Sequence, residues 1–318
     1  MYREYSNTKN ESINAATLAD AMGAKRSGLG YLTRCPAHGD RTPSLFFKDG
    51  DKAILFKCFA GCSGDEVVEA LRNRGDWSGD KTWQAPTLKQ DEEEARRKQQ
   101  QKAQSLWHTA SEIEPGDPVH RYLTETRRLN LSHIPTDLRI APSLEYWTVD
   151  DDAKPRLVTK TPALLAAVRG LSGELLALHR TYLSPDGTKF KPEAYGMPAS
   201  APVKKVVGSI GGGAIRLHEP GDTLLVAEGL ETALAAHILS GYPAWAAVSA
   251  GNMERIEIPS EVKTLIICVD NDEAGERASA KLARRLRNNG IEAMLSIPGL
   301  IHPQEGTDWA DIVNREVA

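Results

Sequence analysis

Thr264-Leu265-Ile266-Ile267-Cys268-Val269-Asp270-Asn271-Asp272-Glu273-Ala274-Gly275 is the stretch whose reading decides the fold. Six apolar or β-branched residues run unbroken into a carboxylate, a spacer and a second carboxylate. Such a run suits a strand buried on both faces, as in a parallel sheet with helices on each side. Residues two apart on an extended chain project to one side, so Asp270 and Asp272 converge. Two carboxylates that close repel unless a cation lies between them. Magnesium suits the position, since it takes one or two carboxylates and binds substrate phosphates. Ligands in open α/β sheets also sit beyond the carboxyl ends of strands. Taken alone, an acidic turn capping the next helix has the same appearance.

A second stretch adds weight. Thr223-Leu224-Leu225-Val226-Ala227 is another buried-strand pattern, ending in Glu228-Gly229 and leading into a helix from Glu231 to Ser240 closed by Gly241. Strand–Glu-Gly–helix followed by strand–Asp-x-Asp–helix resembles the Toprim domain, a catalytic module of DnaG-type primases, topoisomerases, OLD-type nucleases and RecR-type proteins. The resemblance implies a Rossmann-like region with a mainly parallel four-stranded sheet at 223–227, 244–248, 264–269 and 291–297, and helices at 231–240, 274–288 and near 309–314. It implies magnesium or manganese on Glu228, Asp270, Asp272 and Asp308, with Glu228 a ligand or a general acid/base. The third acidic cluster reads D-x-x-D, Asp308 to Asp311, where many members have D-x-D. Four residues after Glu228, where DnaG-type enzymes have Asp, stands Thr232, with Glu231 beside it.

Upstream, Cys35-Pro36-Ala37-His38 and Cys58-Phe59-Ala60-Gly61-Cys62 flank a short β-rich segment. One His and three Cys at this spacing make a closed tetrahedral zinc site. Ser44 to Lys48 and Ala53 to Cys58 read as a hairpin turning at Asp49-Gly50-Asp51-Lys52. So small a domain buries too little surface to fold alone, and structural zinc supplies on the order of 10–16 kcal/mol. Cys268 reads as a buried small hydrophobe. The segment with Thr42-Pro43-Ser44 and Cys58 to Asp65 resembles the zinc ribbon of DnaG-type and phage or plasmid primases, which contacts single-stranded template. Phe46, Phe47, Phe56 and Phe59 alternate with Lys48, Lys52 and Lys57, so bases have rings to stack on once the core has taken its share.

The remainder follows in order. Asn14 to Met22 and Asp65 to Arg74 read as short helices. The acidic block from Asp91 and the basic block through Lys98 stand at i,i+4 spacing, which predicts an exposed helix running on past Trp107. Leu138 to Ile140 reads as a strand, and Ala163 to Arg169 pairs with Leu175 to Leu183 through Leu171-Ser172-Gly173. Between His179 and Arg216 six basic residues (Arg180, Lys189, Lys191, Lys204, Lys205, Arg216) face two acidic ones, in a chain of net charge −4. The segment resembles the subdomain that precedes Toprim in such primases, which implies a template and nucleotide groove lined by Arg180, Lys189 and Lys191, with Lys204 and Lys205 the favoured phosphate-binding pair; a solvated basic face fits the same residues. Gly208 to Gly213 lacks the Lys-Ser/Thr of a Walker A loop and reads as a turn.

The expected fold class is therefore α/β and multi-domain: a zinc ribbon at 1–75, linker and charged helix at 76–115, a basic α+β subdomain at 116–220 and the Toprim region at 221–318. With 318 residues, 41% hydrophobic, no run of about eighteen apolar residues and no secretory leader, the chain reads as cytoplasmic and without membrane contact. The order of parts resembles that of DnaG-type primases. It implies synthesis of RNA primers from nucleoside triphosphates on single-stranded DNA, with one structural zinc per chain. With no helicase after Toprim, a phage, plasmid or integrated-element enzyme borrowing a helicase in trans is expected. A Toprim nuclease and a non-catalytic RecR-like DNA-binding protein remain as alternatives.

Overall fold

The computed structural model of the chain describes residues 14–27, 30–40, 43–50, 54–60, 62–77, 89–149, 154–269 and 273–296. The chain forms two compact units, Met1–Lys89 with Trp147–Arg156, and Gln90–Tyr146 with Leu157–Ala318.

The first unit opens with α1 (Ala15–Met22), whose N-cap Asn14 accepts the Thr17 N–H at 2.8 Å and whose end is set by Gly23 at φ 60°. Four antiparallel strands follow in sequence order: β1 (Lys25–Ser27), β2 (Gly30–Thr33), β3 (Leu45–Asp49) and β4 (Ile54–Cys58). The β3–β4 hairpin matches the sequence expectation, whereas β1 and β2, in a segment with Gly23, Gly28 and Gly30, were not foreseen. Gly30 has a packing reason: a Cβ there would collide with the Phe47 carbonyl and the Phe46 ring. Alternation sets the core, with Leu45, Phe47, Ile54 and Phe56 buried and packed on Leu18, Val67, Val68, Leu71 and Trp77. The last helix, α2 (Gly64–Asn73), starts with a reciprocal capping box between Ser63 and Glu66.

The second unit begins with α3 (Lys89–Thr109), α4 (Pro118–Arg121) and a π-helical turn, Tyr122–Thr126. Lys98 and Glu94 pair at 2.6 Å on the exposed face of α3, as the charge pattern predicts. Strands β5 (Leu138–Val149), β6 (Pro155–Arg169), β7 (Leu175–Tyr182), β8 (Lys204–Gly208) and β9 (Ala214–Arg216) come next. The unit continues with β10 (Thr223–Ala227), α5 (Leu230–Ser240), β11 (Ala244–Ala246), α6 (Ala250–Met253), β12 (Thr264–Cys268), α7 (Glu273–Asn288) and β13 (Glu292–Ser296). Strands β10 to β13 are mutually parallel in the order β13-β12-β10-β11. This is the expected four-stranded layer, but it does not end there. Three-residue β9 runs antiparallel to both β11 and β6 and joins the layer to β6-β7-β8, and β5 also pairs with β6, making one nine-stranded sheet among the described residues.

Alternate residues of the central strands serve two cores. Leu225, Ala227 and Cys268 pack with α5, whereas Leu224, Val226, Leu265 and Ile267 pack with Ala278, Leu282 and Leu286 of α7. Burial on both faces is why these strands read as unbroken apolar runs. Ala227 of β10 is in register with Cys268 of β12, so both strands finish at one edge of the sheet. There the chain continues into Glu228 from one strand and towards position 270 from the other.

Candidate functional site

Cys35, His38, Cys58 and Cys62 come together in the first unit, their ligand atoms all within 4.8 Å of one another. His38 Nδ1 lies 3.1 Å from Cys62 Sγ. Four N/S donors about 2.0–2.3 Å from one centre would lie about 3.5–3.8 Å apart, so the cluster fits a tetrahedral metal with little adjustment. The β3–β4 hairpin creates this proximity by pairing Leu45 with Cys58, which returns the second ligand pair to the first. Asp40 supports the site from outside. Its carboxylate accepts the Cys35 N–H at 2.7 Å and the Ser44 hydroxyl at 2.6 Å, and Oδ1 stands 3.6 Å from His38 Nε2. Such an outer carboxylate orients a ligating imidazole. Burial pushes the Cys35 and Cys62 thiols up. Burial also acts on Cys58, but backbone N–H donors at Cys62 and Ala60 and the Ser44 hydroxyl outweigh it and hold that thiol below its usual value. A bound cation would ionise all three, which couples metal uptake to proton release. Phe47 and Phe56 are core, while Phe59 is 62% exposed with the Lys57 ammonium 5.3 Å from its ring centre.

A second constellation stands in the other unit, where β10 gives way to α5. Glu228, the first residue past β10, lines a cavity of about 270 Å³ together with Arg127, His179, Lys204, Glu231 and Val248. A residue after β11 that touches this turn has an unusual backbone. Val248 has φ 73°, a left-handed conformation that a β-branched residue rarely adopts, and its N–H donates to the Glu228 carbonyl at 2.8 Å. Gly229 then caps α5 without a side-chain hydrogen bond to the first turn.

Glu231, one residue into α5, is only 4% exposed. Its Oε1 accepts the Tyr122 hydroxyl at 2.6 Å and lies 3.7 Å from the Arg127 guanidinium; its Oε2 accepts the Lys204 ammonium at 2.8 Å. Burial favours the neutral acid, but Lys204, the Tyr122 hydroxyl and Arg127 outweigh burial and hold this carboxyl well below the usual carboxylate range. Tyr122 moves the other way, its hydroxyl pushed up by burial and by the Glu231 charge. His179, on β7, is pushed down to about 4 by burial and then by Lys204, so the ring is neutral, and its Nδ1 is buried without a hydrogen-bond partner.

The structure sorts the expected basic residues by strand parity. Lys204 pairs with Thr181 across β7–β8 and Lys205 with Arg180, so neighbouring lysines leave the sheet on opposite faces. Lys204 reaches the cavity. The Lys205 ammonium lies 3.7 Å from the Tyr146 ring centre, and Arg180 donates to the Tyr182 hydroxyl and the Val206 carbonyl, both at 3.3 Å. Lys204 and Lys205 thus do not share one face of the sheet. Lys189 and Lys191 are exposed on the loop after β7. Asp270, Asp272, Asp308 and Asp311 lie outside the described residues. Tyr122, Arg127 and His179 were missed, and only the placing of Glu231 beside Thr232 hinted at this network.

Residues 223–318 match the Toprim domain family, and residues 97–217 match a domain of unknown function (DUF7146). No curated protein matches the chain. Among solved structures, the zinc-binding and RNA polymerase domains of the Aquifex aeolicus primase align over 94% of this chain and 80% of that one, at 15% identity and TM-score 0.39. A primase domain from Pseudomonas aeruginosa aligns over 56% and 61%, at 17% identity and TM-score 0.37. The primase fragment of the bacteriophage T7 primase-helicase aligns over 54% and 63%, at 17% identity and TM-score 0.35. The chain thus spans about three fifths of the length of the latter two. The parallel layer that begins at Thr223 and carries Glu228 lies in the part of the chain that matches the Toprim domain family.

Proposed function

We propose that the chain is a DNA primase, synthesising short RNA primers on single-stranded DNA from nucleoside triphosphates. The observation that carries this reading is the cavity where β10 meets α5: a Toprim glutamate, Glu228, shares it with Lys204 and Arg127. A carboxylate beside two fixed cations suits phosphoryl chemistry, which is mostly positioning and charge stabilisation. The Cys35, His38, Cys58 and Cys62 cluster supports the same reading, as a structural zinc site in a template-contacting ribbon.

In the reaction, a 3′-hydroxyl attacks the α-phosphate of a nucleoside triphosphate and pyrophosphate leaves. Glu228, Asp270, Asp272 and Asp308 offer hard oxygen donors that suit magnesium or manganese. Bound there, such a cation supplies charge neutralisation at the attacking and leaving oxygens. Lys204 and Arg127 stand where they meet phosphate oxygens. His179, neutral above about pH 4, adds a polar contact without a further positive charge. On the ribbon, Phe59 offers a stacking face and Lys57 a phosphate partner for single-stranded template. A replicative helicase supplied in trans completes the reading.

The test is incubation of the protein with single-stranded DNA, labelled nucleoside triphosphates and magnesium. Template-dependent labelled oligonucleotides are expected. Shortened template with no labelled product would replace primer synthesis by nuclease action.

A further inference from the structure

Glu231 stands three residues after Glu228, beside Thr232 at the position where DnaG-type enzymes have Asp, and its surroundings argue against a metal there. Both carboxylate oxygens already accept short hydrogen bonds, Oε1 from Tyr122 at 2.6 Å and Oε2 from Lys204 at 2.8 Å. A divalent cation on this carboxylate would stand beside the Lys204 ammonium and the Arg127 guanidinium, 2.8 and 3.7 Å from its oxygens, with little water to screen the repulsion. The cations themselves are only partly enclosed. The Lys204 side chain keeps 36% of its exposure and that of Arg127 24%, against 5% for Glu231. Both side chains line the cavity.

Two further features point to an anion as the occupant. The first turn of α5, an eleven-residue helix, lines the cavity at Gly229, Leu230 and Thr232 with no side-chain cap on its N–H groups. His179 Nδ1 is buried in the same lining with no partner, on a residue only 7% exposed. A buried polar atom left unpaired is costly unless a ligand completes it. Lys204 and Arg127 balance Glu228 and Glu231 in this lining, so it is the uncapped N–H groups of α5 and His179 Nδ1 that favour a phosphate chain there.

We propose that Glu231 is a positioning residue: it ligates no metal, and it holds the Lys204 ammonium and Arg127 guanidinium at the cavity wall, where they take the phosphate oxygens of a nucleoside triphosphate. The proposal rests on the primer-synthesis reading for its substrate, and its test is a binding measurement that stands whether or not primers are made. ATP binding is measured by calorimetry in EDTA, and manganese binding separately by electron paramagnetic resonance, for the full chain and for Lys204→Met, Glu231→Gln and the double variant. Lys204→Met should weaken metal-free ATP binding roughly tenfold or more, as loss of one charge-assisted contact does. Glu231→Gln should weaken it several-fold in the wild-type background and add little once Lys204 is Met, because the two act as a unit. Manganese affinity should stay within about twofold throughout, because neither side chain touches the metal in this proposal.

Glu231→Asp keeps the charge but shortens the reach. It should also weaken ATP binding while keeping manganese affinity, and it serves as the second variant should Glu231→Gln fail to fold. Thermal melting accompanies each variant. A tenfold or greater fall in manganese affinity in Glu231→Gln or Glu231→Asp, with ATP binding in EDTA unchanged, would make Glu231 a metal ligand and overturn the proposal. Absence of ATP binding to the wild-type chain in EDTA would overturn it equally, whereas absence of primers alone would strike only the reading of the reaction.

Discussion

Acidification tests the buried ring of His179. In the folded chain this imidazole is pushed down to about 4, against an ordinary value of 6.5, chiefly by burial and secondarily by Lys204. Above pH 6.5 it is neutral in both folded and unfolded states and contributes no pH dependence. Between 6.5 and about 4 the unfolded chain takes up a proton that the folded chain refuses, so stability falls as pH falls. Moving from pH 7.5 to pH 5 removes about 2 kcal/mol through this one group, or roughly 4–8 °C in Tm for a unit of this size. Glu231 does not obscure the window: its folded pKa is depressed, so its contribution is present above the ordinary carboxylate range and is lost only at more acid pH. Replacing His179 by Asn removes the titration. Calorimetric melting of both proteins at pH 7.5 and pH 5 should show an acid-induced drop smaller in His179→Asn by about that amount, the remainder including His218, also pushed down to about 4. An equal drop in the two proteins would refute the account of His179 as a neutral, water-excluded ring.

Two further outcomes follow from the two sites. Metal analysis of the purified chain should find one zinc, and Cys58→Ser should lose it and selectively unfold the first unit, since zinc-binding energy there is folding energy; zinc unaffected by that substitution would refute the ligand set. Template binding should weaken steeply with salt, and Lys189→Ala with Lys191→Ala should lower the slope of log K against log salt by about 1.4, at roughly 0.7 per single-strand phosphate contact. Lys205→Ala, which removes an ammonium packed over Tyr146, should leave that slope nearly unchanged, and the opposite ranking would move the template path from the loop after β7 to Lys205 itself.

How much of this was legible in the sequence depended on how local its cause was. Leu224 to Ala227 and Leu265 to Cys268 announced central strands because helices cover both faces, leaving no polar alternation. The Cys and His pairs were legible because ligand spacing is itself the geometry. Strand β9 was not, because three residues after a glycine run carry no period, and its partners β6 and β11 lie far away in sequence. The full length of β5 was hidden for a related reason: Pro142 and two polar residues follow Ile140, so only Leu138 to Ile140 read as strand. Lys204 and Lys205 looked like a pair because they are adjacent in sequence, yet a strand sends neighbours to opposite faces. The Glu231 network was beyond reach, since Tyr122 stands 109 positions from its carboxylate partner and nothing local marks either as half of a contact.

The central claim is that the Toprim carboxylates carry out primer synthesis, and the most direct measurement compares wild type, Glu228→Gln and Asp270→Asn. Each variant removes one negative charge while keeping side-chain shape, so thermal melting should find Tm unchanged or slightly raised by relief of carboxylate repulsion. Labelled primer synthesis on single-stranded DNA should meanwhile fall about 10²-fold or more in both, the scale expected when charge stabilisation at the transferring phosphate is lost. Folded variants that still make primers at near wild-type rates would remove Glu228 and Asp270 from the chemistry and contradict the account.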